Sequence, residues 1–278
     1  MTLSVLVDGA WVDALPVDDR GLAYGDGVFE TIAIIDGKPR WLHRHLERLL
    51  RGCERLLIPH DGLADRLHAD IMCLLSQSPL MPPVGVVKLI VTRGSSGRGY
   101  AVDRSAAPRR IVRLSPAPDY PGSYLTEGVA VRLCQTRLAE QPQLAGIKHL
   151  NRLEQVLARM ELAANEQEGL LCDYAGRVVE GTCSNLFAHF GACLVTPSLS
   201  RSGVAGIARE VVIERARRCG VTVEIDDLTV AQLVEADALV LTNSLIGAWP
   251  VAQFHGHRYD SIAAAHTLRD WITGAEAG

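Results

Sequence analysis

The amino-acid sequence predicts an α+β protein of two domains, in which hairpins and amphipathic helices build largely antiparallel or mixed sheets. Asp-Gly turn signals lie between strand-like runs in SVLVDGAWV and GVFETIAIIDGKPRW. A proline-rich stretch of low apolar content, SPAPDYPGSY, separates the two halves of the chain. We therefore expect an N-terminal domain over residues 1–115, a linker over 116–124 and a larger C-terminal domain over 125–278.

The first half of the sequence contains two helix patterns and two further strand patterns. A second helix is predicted over 62–77, and the β-branched run VGVVKLIVT, residues 84–92, indicates a buried strand. RRIVRL is typical of another strand. The first helix is predicted to end near Pro59, because apolar residues recur at three- and four-residue spacing before it. These residues are Leu42, Leu46, Leu49, Cys53 and Leu56.

The second half alternates between helix and strand patterns in a similar way. A helix over 148–165 with one core-facing stripe is predicted, with Lys148 at its entrance. The hairpin LLCDYAGRVVE and the strands SNLFAHF and CLVT follow, and a helix over 206–219 precedes the strands VTVEI and ADALVLTN. The stripe of the first helix consists of Leu150, Leu153, Leu157, Met160 and Ala164.

Composition excludes several classes of partner. A formal net charge of -4 and a pI near 6.1 argue against nucleic acid or an anionic membrane surface, so a small-molecule substrate is expected. No apolar run approaches the roughly 20 residues of a bilayer span, and no basic leader opens the chain, which predicts a cytoplasmic protein. The seven cysteines include no CxxC pair, so we expect neither zinc nor thiol exchange and reduced cysteines that mostly lie in the core.

Lys148 is the first candidate for chemistry. The chain has only three lysines, Lys38, Lys88 and Lys148, against 25 arginines, so a retained lysine can be needed as an amine. An amine that attacks a carbonyl must be unprotonated, which burial or a nearby positive charge promotes. The alternative is a solvated lysine in the first turn of a helix. Lys38 belongs to a turn, and Lys88 can point out of a strand.

Two further stretches suggest binding of an anionic, nitrogen-containing cofactor. Glycines in GVAGIARE, residues 203–210, precede an apolar helix whose free N–H groups could face a phosphate, although an ordinary helix start has the same pattern. Glu180 ends a hairpin strand in VVEGTCSNLF. A carboxylate there could keep a pyridine nitrogen protonated, and the alternative is an exposed charge.

The glycine-rich stretch RGSSGRGY, residues 93–100, lacks the GK[ST] ending of a phosphate-binding P-loop. Arg98 and Tyr100 on such a loop suit a substrate that carries a carboxylate, because arginine can hold a carboxylate through two hydrogen bonds. The alternative is a solvated hairpin tip. His43 and His45 have no third ligand at metal spacing, so no metal site is expected and capping or surface roles are predicted for them.

Taken together, GLAYGDGVFETI, HRHLERL, RGSSGRGY, LAGIKHLNRLEQVLAR, EGTCSNLF, GVAGIARE and LTNSLIGAWPV resemble the fold type IV pyridoxal-phosphate enzymes, in order and spacing, over nearly the whole chain. The resemblance implies a two-domain architecture with mixed sheets and flanking helices, and pyridoxal 5′-phosphate as cofactor. Within this family, AGIKHLNRLEQVL and RGSSGRGY are most similar to the aminodeoxychorismate lyases. The branched-chain and D-amino acid aminotransferases share the framework and supply the second interpretation.

The resemblance also implies roles for individual residues. Lys148 matches the catalytic lysine that holds the cofactor covalently, and Glu180 matches the carboxylate that pairs with the pyridine nitrogen. Many relatives have threonine where this chain has Ala208, so only a main-chain contact is implied at that position. The positions that match phosphate-binding residues are Arg48, Ile207, Ala208 and Ser244.

Substrate contacts are implied at four positions. Arg98 and Tyr100 match loop residues that contact a substrate carboxylate, often in the neighbouring subunit, so a homodimer with active sites near the interface is expected. Phe29 stands where D-amino acid aminotransferases carry tyrosine, and Thr31 on the same strand is expected to face the substrate.

The resemblance implies an elimination in folate biosynthesis. The ring amine of 4-amino-4-deoxychorismate replaces Lys148 on the cofactor, Lys148 removes the proton from the carbon that bears nitrogen, and the enolpyruvyl group leaves as pyruvate to give p-aminobenzoate. Lys148 and Tyr100 are both candidates for the proton donor, and Lys148 is preferred. Apart from an aminotransferase, the remaining alternative is a non-catalytic protein that uses RGSSGRGY to bind a phosphate ligand or a partner.

Overall fold

The structure, a computed structural model, describes residues 4–77, 84–97, 99–103 and 105–274. The chain divides into two compact units. The first comprises Met1–Pro118 and Ile147–Asn151, and the second comprises Asp119–Gly146 and Arg152–Gly278. No helix in the described part of the chain is long and apolar enough to cross a membrane. The expected cytoplasmic location stays a prediction.

In the part of the first unit that the structure describes, three helices accompany a five-stranded sheet. Its elements are β1 Ser4–Val7, α1 Arg20–Tyr24, β2 Gly27–Ile35, β3 Lys38–Pro39, α2 Leu42–Arg55, α3 Leu63–Gln77, β4 Val84–Thr92 and β5 Arg109–Pro116. The strand order is β1-β5-β4-β2-β3, and all neighbouring strands are antiparallel. The predictions of a strand over 84–92 and of a helix over 62–77 are confirmed to within one residue.

The two predicted Asp-Gly turns form. Asp36 and Gly37 both have positive φ, 49° and 73°, as a two-residue hairpin turn between right-twisted strands requires. The Asp8-Gly9 turn is similar, but the strand expected after it is reduced to a single bridge between Val7 and Ala10.

Helix α2 ends four residues before Pro59, earlier than its apolar spacing predicts. Leu57 adopts a left-handed backbone with φ of 55°, which stops the helix. Arg93 donates hydrogen bonds of 2.7 and 2.8 Å to the carbonyls of Leu56 and Leu57. The guanidinium thereby satisfies carbonyl groups that the helix end leaves without partners.

The core of the first unit lies between the sheet and helices α2 and α3. Apolar side chains at every third or fourth helix position pack against alternate residues of the strands, as the two periodicities require. Each fully buried leucine or isoleucine contributes about 1.5–3 kcal/mol. Fully buried members of this core include Leu6, Ile32, Ile34, Leu49, Leu63, Leu67, Ile71 and Leu74.

The second unit contains a ten-stranded mixed sheet. Its elements are α4 Ser123–Thr126, β6 Val129–Leu138, α5 Leu153–Met160, β7 Glu168–Asp173, β8 Arg177–Gly181, β9 Asn185–Phe190, β10 Cys193–Pro197, α6 Ile207–Arg218, β11 Thr222–Asp226, β12 Leu228–Thr229, α7 Val230–Val234, β13 Ala238–Asn243, β14 Gly247–Phe254, β15 His257–Arg258 and α8 Ile262–Gly274. The order is β11-β10-β9-β13-β14-β6-β7-β8-β12, with β15 paired to β14. The pairs β10–β11, β6–β14 and β6–β7 are parallel, and the other pairs are antiparallel.

The segment around Lys148 differs from its prediction. It is not the start of a helix, because Ile147–Asn151 pairs with β2 in the first unit: Phe29 donates its N–H to the Lys148 carbonyl at 2.9 Å, and Leu150 donates to Gly27 at 3.0 Å. Lys148 therefore belongs to the first compact unit, and the expected domain boundaries stay a prediction. The change between units at Pro118 and Asp119 falls inside the expected linker, 116–124.

Helix α5 is shorter than the predicted 148–165, and the prediction of a core-facing stripe is wrong. Leu153 and Met160 are 75% and 77% exposed, and Leu157 is also exposed. Ala158, on another side of the helix, is its buried residue. Apolar spacing correctly indicated a helix here, but spacing alone does not tell a core-facing stripe from one that faces outward in a single chain.

Candidate active site

Lys148 lies beside strand β2. Val28 and His149 form a bridge, and with the two hydrogen bonds of the segment this fixes the main chain from the Lys148 carbonyl to Leu150. The Lys148 Nζ atom is 4.3 Å from the centre of the Phe29 ring, a cation–π distance. Of the three lysines, Lys38 and Lys88 are exposed and Lys148 is half-buried. The alternative of a solvated lysine in the first turn of a helix is therefore wrong.

The two predicted substrate residues of β2 share a face of the strand. Phe29 and Thr31 are separated by two positions, so their side chains point to the same side of the sheet. Both are half-buried, and Thr31 lies opposite Lys88 in the register with β4. The structure thus brings Phe29 together with Lys148 and places Thr31 next along the same face.

Arg48 belongs to a buried cluster. Its Nε and Nη2 atoms donate to the two carboxylate oxygens of Glu30 at 2.8 and 2.5 Å, and His45 Nδ1 lies 2.6 Å from Glu30 Oε2. All three side chains are buried. The capping or surface role predicted for His45 is wrong, whereas His43 is exposed at the helix surface. A guanidinium has five N–H donors, and the pair with Glu30 uses two of them.

Glu180 lies in strand β8 of the second unit and is buried, which excludes the alternative of an exposed charge. Its Oε2 accepts a hydrogen bond of 2.8 Å from the Val204 N–H, and its Oε1 accepts one of 3.3 Å from Gln155. Gly203 is required beside it for two reasons. Its φ is 85°, and a Cβ atom there would lie 2.8 Å from Val179 and 3.3 Å from the Glu180 carboxylate.

Among the described residues, no side chain caps the N-terminus of α6. Gly206 is the N-cap residue, and a Cβ atom at this position would lie 2.0 Å from Asn185 Oδ1, so only glycine fits. Asn185 in turn donates to the Val204 carbonyl at 2.9 Å and holds the approach to the helix. The first amides of α6, at Ile207 and Ala208, therefore lie at the positive end of a 12-residue helix dipole.

Ser244 lies in the turn between β13 and β14. Asn243 Oδ1 accepts from the N–H groups of Leu245 and Ile246, both at 2.8 Å, which shapes this turn. Asn243 also donates to the Cys183 carbonyl at 3.0 Å. The Asn243 side chain therefore connects the turn that contains Ser244 to the loop that follows Glu180.

Glu168 organises that loop, and no local sequence pattern predicts this role. Buried Glu168 accepts hydrogen bonds from Thr182 N, Cys183 N and Ser184 Oγ at 3.1, 3.3 and 2.9 Å. In the polar stretch NEQEGLL, a glutamate is typical of an exposed position. The hydrogen-bond partners of Glu168 lie 14 to 16 residues away in the sequence. Arg209 was missed as well: it is buried and donates to Thr196 and Pro197, which anchors the first turn of α6 to β10. Burial lowers the pKa of Arg209 to about 10.

The glycine-rich loop is only partly described. Arg98 lies outside the described residues. Tyr100 is 87% exposed, and its ring centre lies 5.5 Å from that of Tyr24. Arg20 donates to the Gly99 carbonyl at 2.9 Å and stacks on Tyr24. The exposure of Tyr100 is compatible both with a solvated tip and with contact to a neighbouring subunit.

The described residues contain no cluster of His, Cys, Asp and Glu that could hold a metal ion. All seven cysteines lie in the described part of the chain, and none of them forms a disulfide. Cys53, Cys134 and Cys172 are buried as expected, whereas Cys183 and Cys219 are exposed. Burial raises the pKa of Cys53 to about 12, so this thiol stays protonated and acts as a core residue.

The comparisons with known proteins define the class of protein. The model of the amino-transferase class IV family matches residues 27–254, and the chain belongs to this family. The resemblance to fold type IV enzymes is thereby confirmed. The architecture is also that of the branched-chain amino acid aminotransferase of Escherichia coli, with a TM-score of 0.86 at 22% identity over 98% of this chain and 93% of that one, which confirms the predicted α+β fold class.

Two relatives are more similar in sequence. The chain is 35% identical to the aminodeoxychorismate lyase of Vibrio harveyi over 251 residues, 87% of this chain and 90% of the relative. The crystal structure of 4-amino-4-deoxychorismate lyase from Pseudomonas aeruginosa matches with a TM-score of 0.91 and 47% identity, over 97% of this chain and 98% of that one.

Proposed function

We propose that the chain catalyses the aminodeoxychorismate lyase reaction, the elimination of pyruvate from 4-amino-4-deoxychorismate to give p-aminobenzoate, with pyridoxal 5′-phosphate as cofactor. The observation that supports this most strongly is the 47% identity to the lyase of P. aeruginosa, which extends over 97% of the chain. The aminotransferase of E. coli has the same fold at less than half that identity.

The residues present suit each part of the cofactor. Lys148 would bind its aldehyde through the side-chain amine, and Glu180 would pair with its pyridine nitrogen. Gly206, where a Cβ atom would collide with Asn185, keeps the start of α6 open. When bound, the cofactor supplies a pyridinium ring that withdraws electrons from the substrate carbon. The proposed phosphate ligands are Arg48, the amides of Ile207 and Ala208, and Ser244.

In this proposal Lys148 performs the proton transfers. The hydrogen bond from Phe29 to the Lys148 carbonyl and that from Leu150 to Gly27 hold the main chain that carries this side chain. The centre of the Phe29 ring lies 4.3 Å from Nζ, a cation–π distance. Lys148 takes the proton from the carbon that bears nitrogen and is the preferred donor to the departing enolpyruvyl methylene. Thr31, next along the β2 face, is proposed to contact substrate.

The test is to mix the holoprotein with 4-amino-4-deoxychorismate and to assay pyruvate and p-aminobenzoate. Equal amounts of both products are expected, with the cofactor recovered as pyridoxal phosphate. An aminotransferase instead leaves the cofactor as pyridoxamine phosphate after one half-reaction with an amino acid. If neither product forms while an amino acid converts the cofactor in this way, the lyase assignment is wrong and the aminotransferase is correct.

A homodimer is part of the proposal, and the exposed face of α5 supports it. Leu153, Val156, Leu157 and Met160 recur at three- and four-residue spacing and are all exposed. A contiguous apolar face of this kind marks an interaction surface on soluble proteins. We propose that it lies in the contact between subunits.

The variant Leu157→Glu is expected to weaken dimerisation by about 30-fold or more, because a central apolar contact is worth roughly 2 kcal/mol and the charge must be desolvated. Sedimentation velocity over a range of concentrations measures the change. Met72→Glu alters a similarly exposed apolar residue on helix α3 and serves as the control. An unchanged dimer in Leu157→Glu would exclude α5 from the interface.

A further inference from the structure

Glu30, His45 and Arg48 form a buried cluster of hydrogen-bonded side chains. Glu30 lies in β2, and its alternation places it on the face of the strand opposite Phe29 and Thr31. Both carboxylate oxygens are engaged: Oε1 by Arg48 Nε, and Oε2 by Arg48 Nη2 and by His45. Arg48 and His45 lie three positions apart on α2, so one helix face meets one carboxylate.

The charge states of this cluster are defined by its surroundings. Burial alone would raise the pKa of Glu30, but the charge of Arg48 and the hydrogen bonds from His45 and Arg48 lower it to about 2. Burial lowers the pKa of His45. The positive charges of Arg48 and Lys148 also lower it, whereas the interaction with Glu30 raises it. Glu30 is therefore an anion, and a neutral His45 that donates from Nδ1 satisfies it. The Nε2 atom of His45 is buried and bonds to no residue that the structure describes.

We propose that Glu30 and His45 are positioning residues that orient the Arg48 guanidinium for the cofactor phosphate. This inference rests on the role proposed for Arg48 above. Two parallel hydrogen bonds from Nε and Nη2 fix the plane of a guanidinium, because its donors form a rigid fork. His45 restrains the carboxylate that receives them. An arginine held in this way loses less side-chain freedom when it binds an anion, so the phosphate binds more tightly.

The competing explanation is that the three residues form an ion pair that only stabilises the fold. Comparing two ligands, pyridoxal 5′-phosphate and pyridoxal, separates the explanations, since pyridoxal has the same ring and aldehyde but no phosphate. A residue that acts through the phosphate affects the first ligand alone. A residue that only maintains the fold affects both ligands equally.

The experiment titrates the apoprotein of each variant with both ligands and follows the visible absorbance of the lysine-bound form. His45→Leu and Glu30→Gln are expected to weaken pyridoxal phosphate binding by about 10- to 100-fold, by analogy with the loss of metal affinity when the partners of metal ligands are removed, and to leave pyridoxal binding within about twofold. Glu30→Gln leaves the buried Arg48 charge without a carboxylate and can fail to fold. His45→Leu keeps the ion pair and is therefore the decisive variant.

Two further variants complete the design. Arg48→Met should lose the preference for the phosphorylated ligand, and adding His45→Leu to it should cause no further loss, because both act through one contact. Asp70→Asn breaks another largely buried pair, in which Arg110 donates to Asp70 at 2.8 Å, and should leave the affinity ratio of the two ligands unchanged.

Equal losses of both ligands in His45→Leu would overturn the inference, as would additive losses in the double variant. Failure of the wild-type protein to bind either ligand would instead refute the proposed function, and the inference with it. A wild type that binds both ligands with no preference for the phosphorylated one would refute the role of Arg48 and the inference that rests on it, while leaving the lyase assignment in place.

Discussion

Replacing Lys148 with alanine is expected to lower the rate of p-aminobenzoate formation by about 10⁴-fold or more. The proposed mechanism uses this amine twice, as the covalent attachment of the cofactor and as the group that moves protons. Positioned acid–base catalysis alone contributes about 10²–10⁴-fold, and loss of the attachment adds to this. Lys148→Arg should not restore activity, because a guanidinium remains protonated and is a poor nucleophile toward an aldehyde. The pyruvate assay with purified holoprotein measures both variants.

Lys88 supplies a matched control for this prediction. Its Nζ atom lies 5.3 Å from the centre of the same Phe29 ring, but the side chain is exposed on β4. Lys88→Ala should keep activity within about threefold of the wild type, since the proposed mechanism gives this exposed amine no part in the cofactor attachment or the proton transfers. Borohydride reduction followed by peptide mapping should place the cofactor on Lys148 only. A cofactor found on Lys88, or an active Lys148→Ala variant, would contradict the assignment.

Local patterns predicted those elements whose stability is decided locally. Strand β4 was predicted to its end residues, because a run of β-branched residues favours one conformation regardless of its neighbours. The Asp36-Gly37 turn was predicted for the same kind of reason, since few residue pairs accept two positive φ values. The segment Ile147–Asn151 was not, because its extended conformation comes from pairing with β2, more than a hundred residues earlier in the chain.

The same distinction between local patterns and distant contacts applies to the residues of the candidate site. Lys148 could be found from the scarcity of lysine, and the glycines before α6 from the need for an open helix start. Glu30 and Glu168 could not be found, since their roles depend on partners that only the fold brings close. A buried carboxylate and an exposed one have the same letter in the sequence. Glu30 is buried because it binds His45 and Arg48, which lie 15 and 18 residues further along the chain. No local sequence pattern indicates contacts at this separation.

Glu180→Gln is expected to reduce turnover by about 10²–10³-fold while the variant remains folded and retains cofactor. In the proposed mechanism the negative charge of Glu180 favours a protonated pyridine ring, and removal of one such preorganised electrostatic group has effects of this size. The substitution isolates the charge, because the amide oxygen of glutamine can still accept the hydrogen bond that Val204 donates to Glu180 at 2.8 Å. Alanine would leave that donor without an acceptor and add a stability cost of about 1–3 kcal/mol.

Asp173→Asn is the matched control for Glu180→Gln. Asp173 is also a buried carboxylate of the same unit, and it accepts hydrogen bonds from the N–H groups of Ala175 and Arg177, both at 3.0 Å. The hydrogen bonds from Arg177 hold the pKa of Asp173 low although burial acts against them. Asp173→Asn should therefore lower the melting temperature and leave kcat within about threefold, whereas Glu180→Gln should lower kcat and leave the melting temperature nearly unchanged. Equal kcat values for the two variants would show that the Glu180 charge is not part of the chemistry.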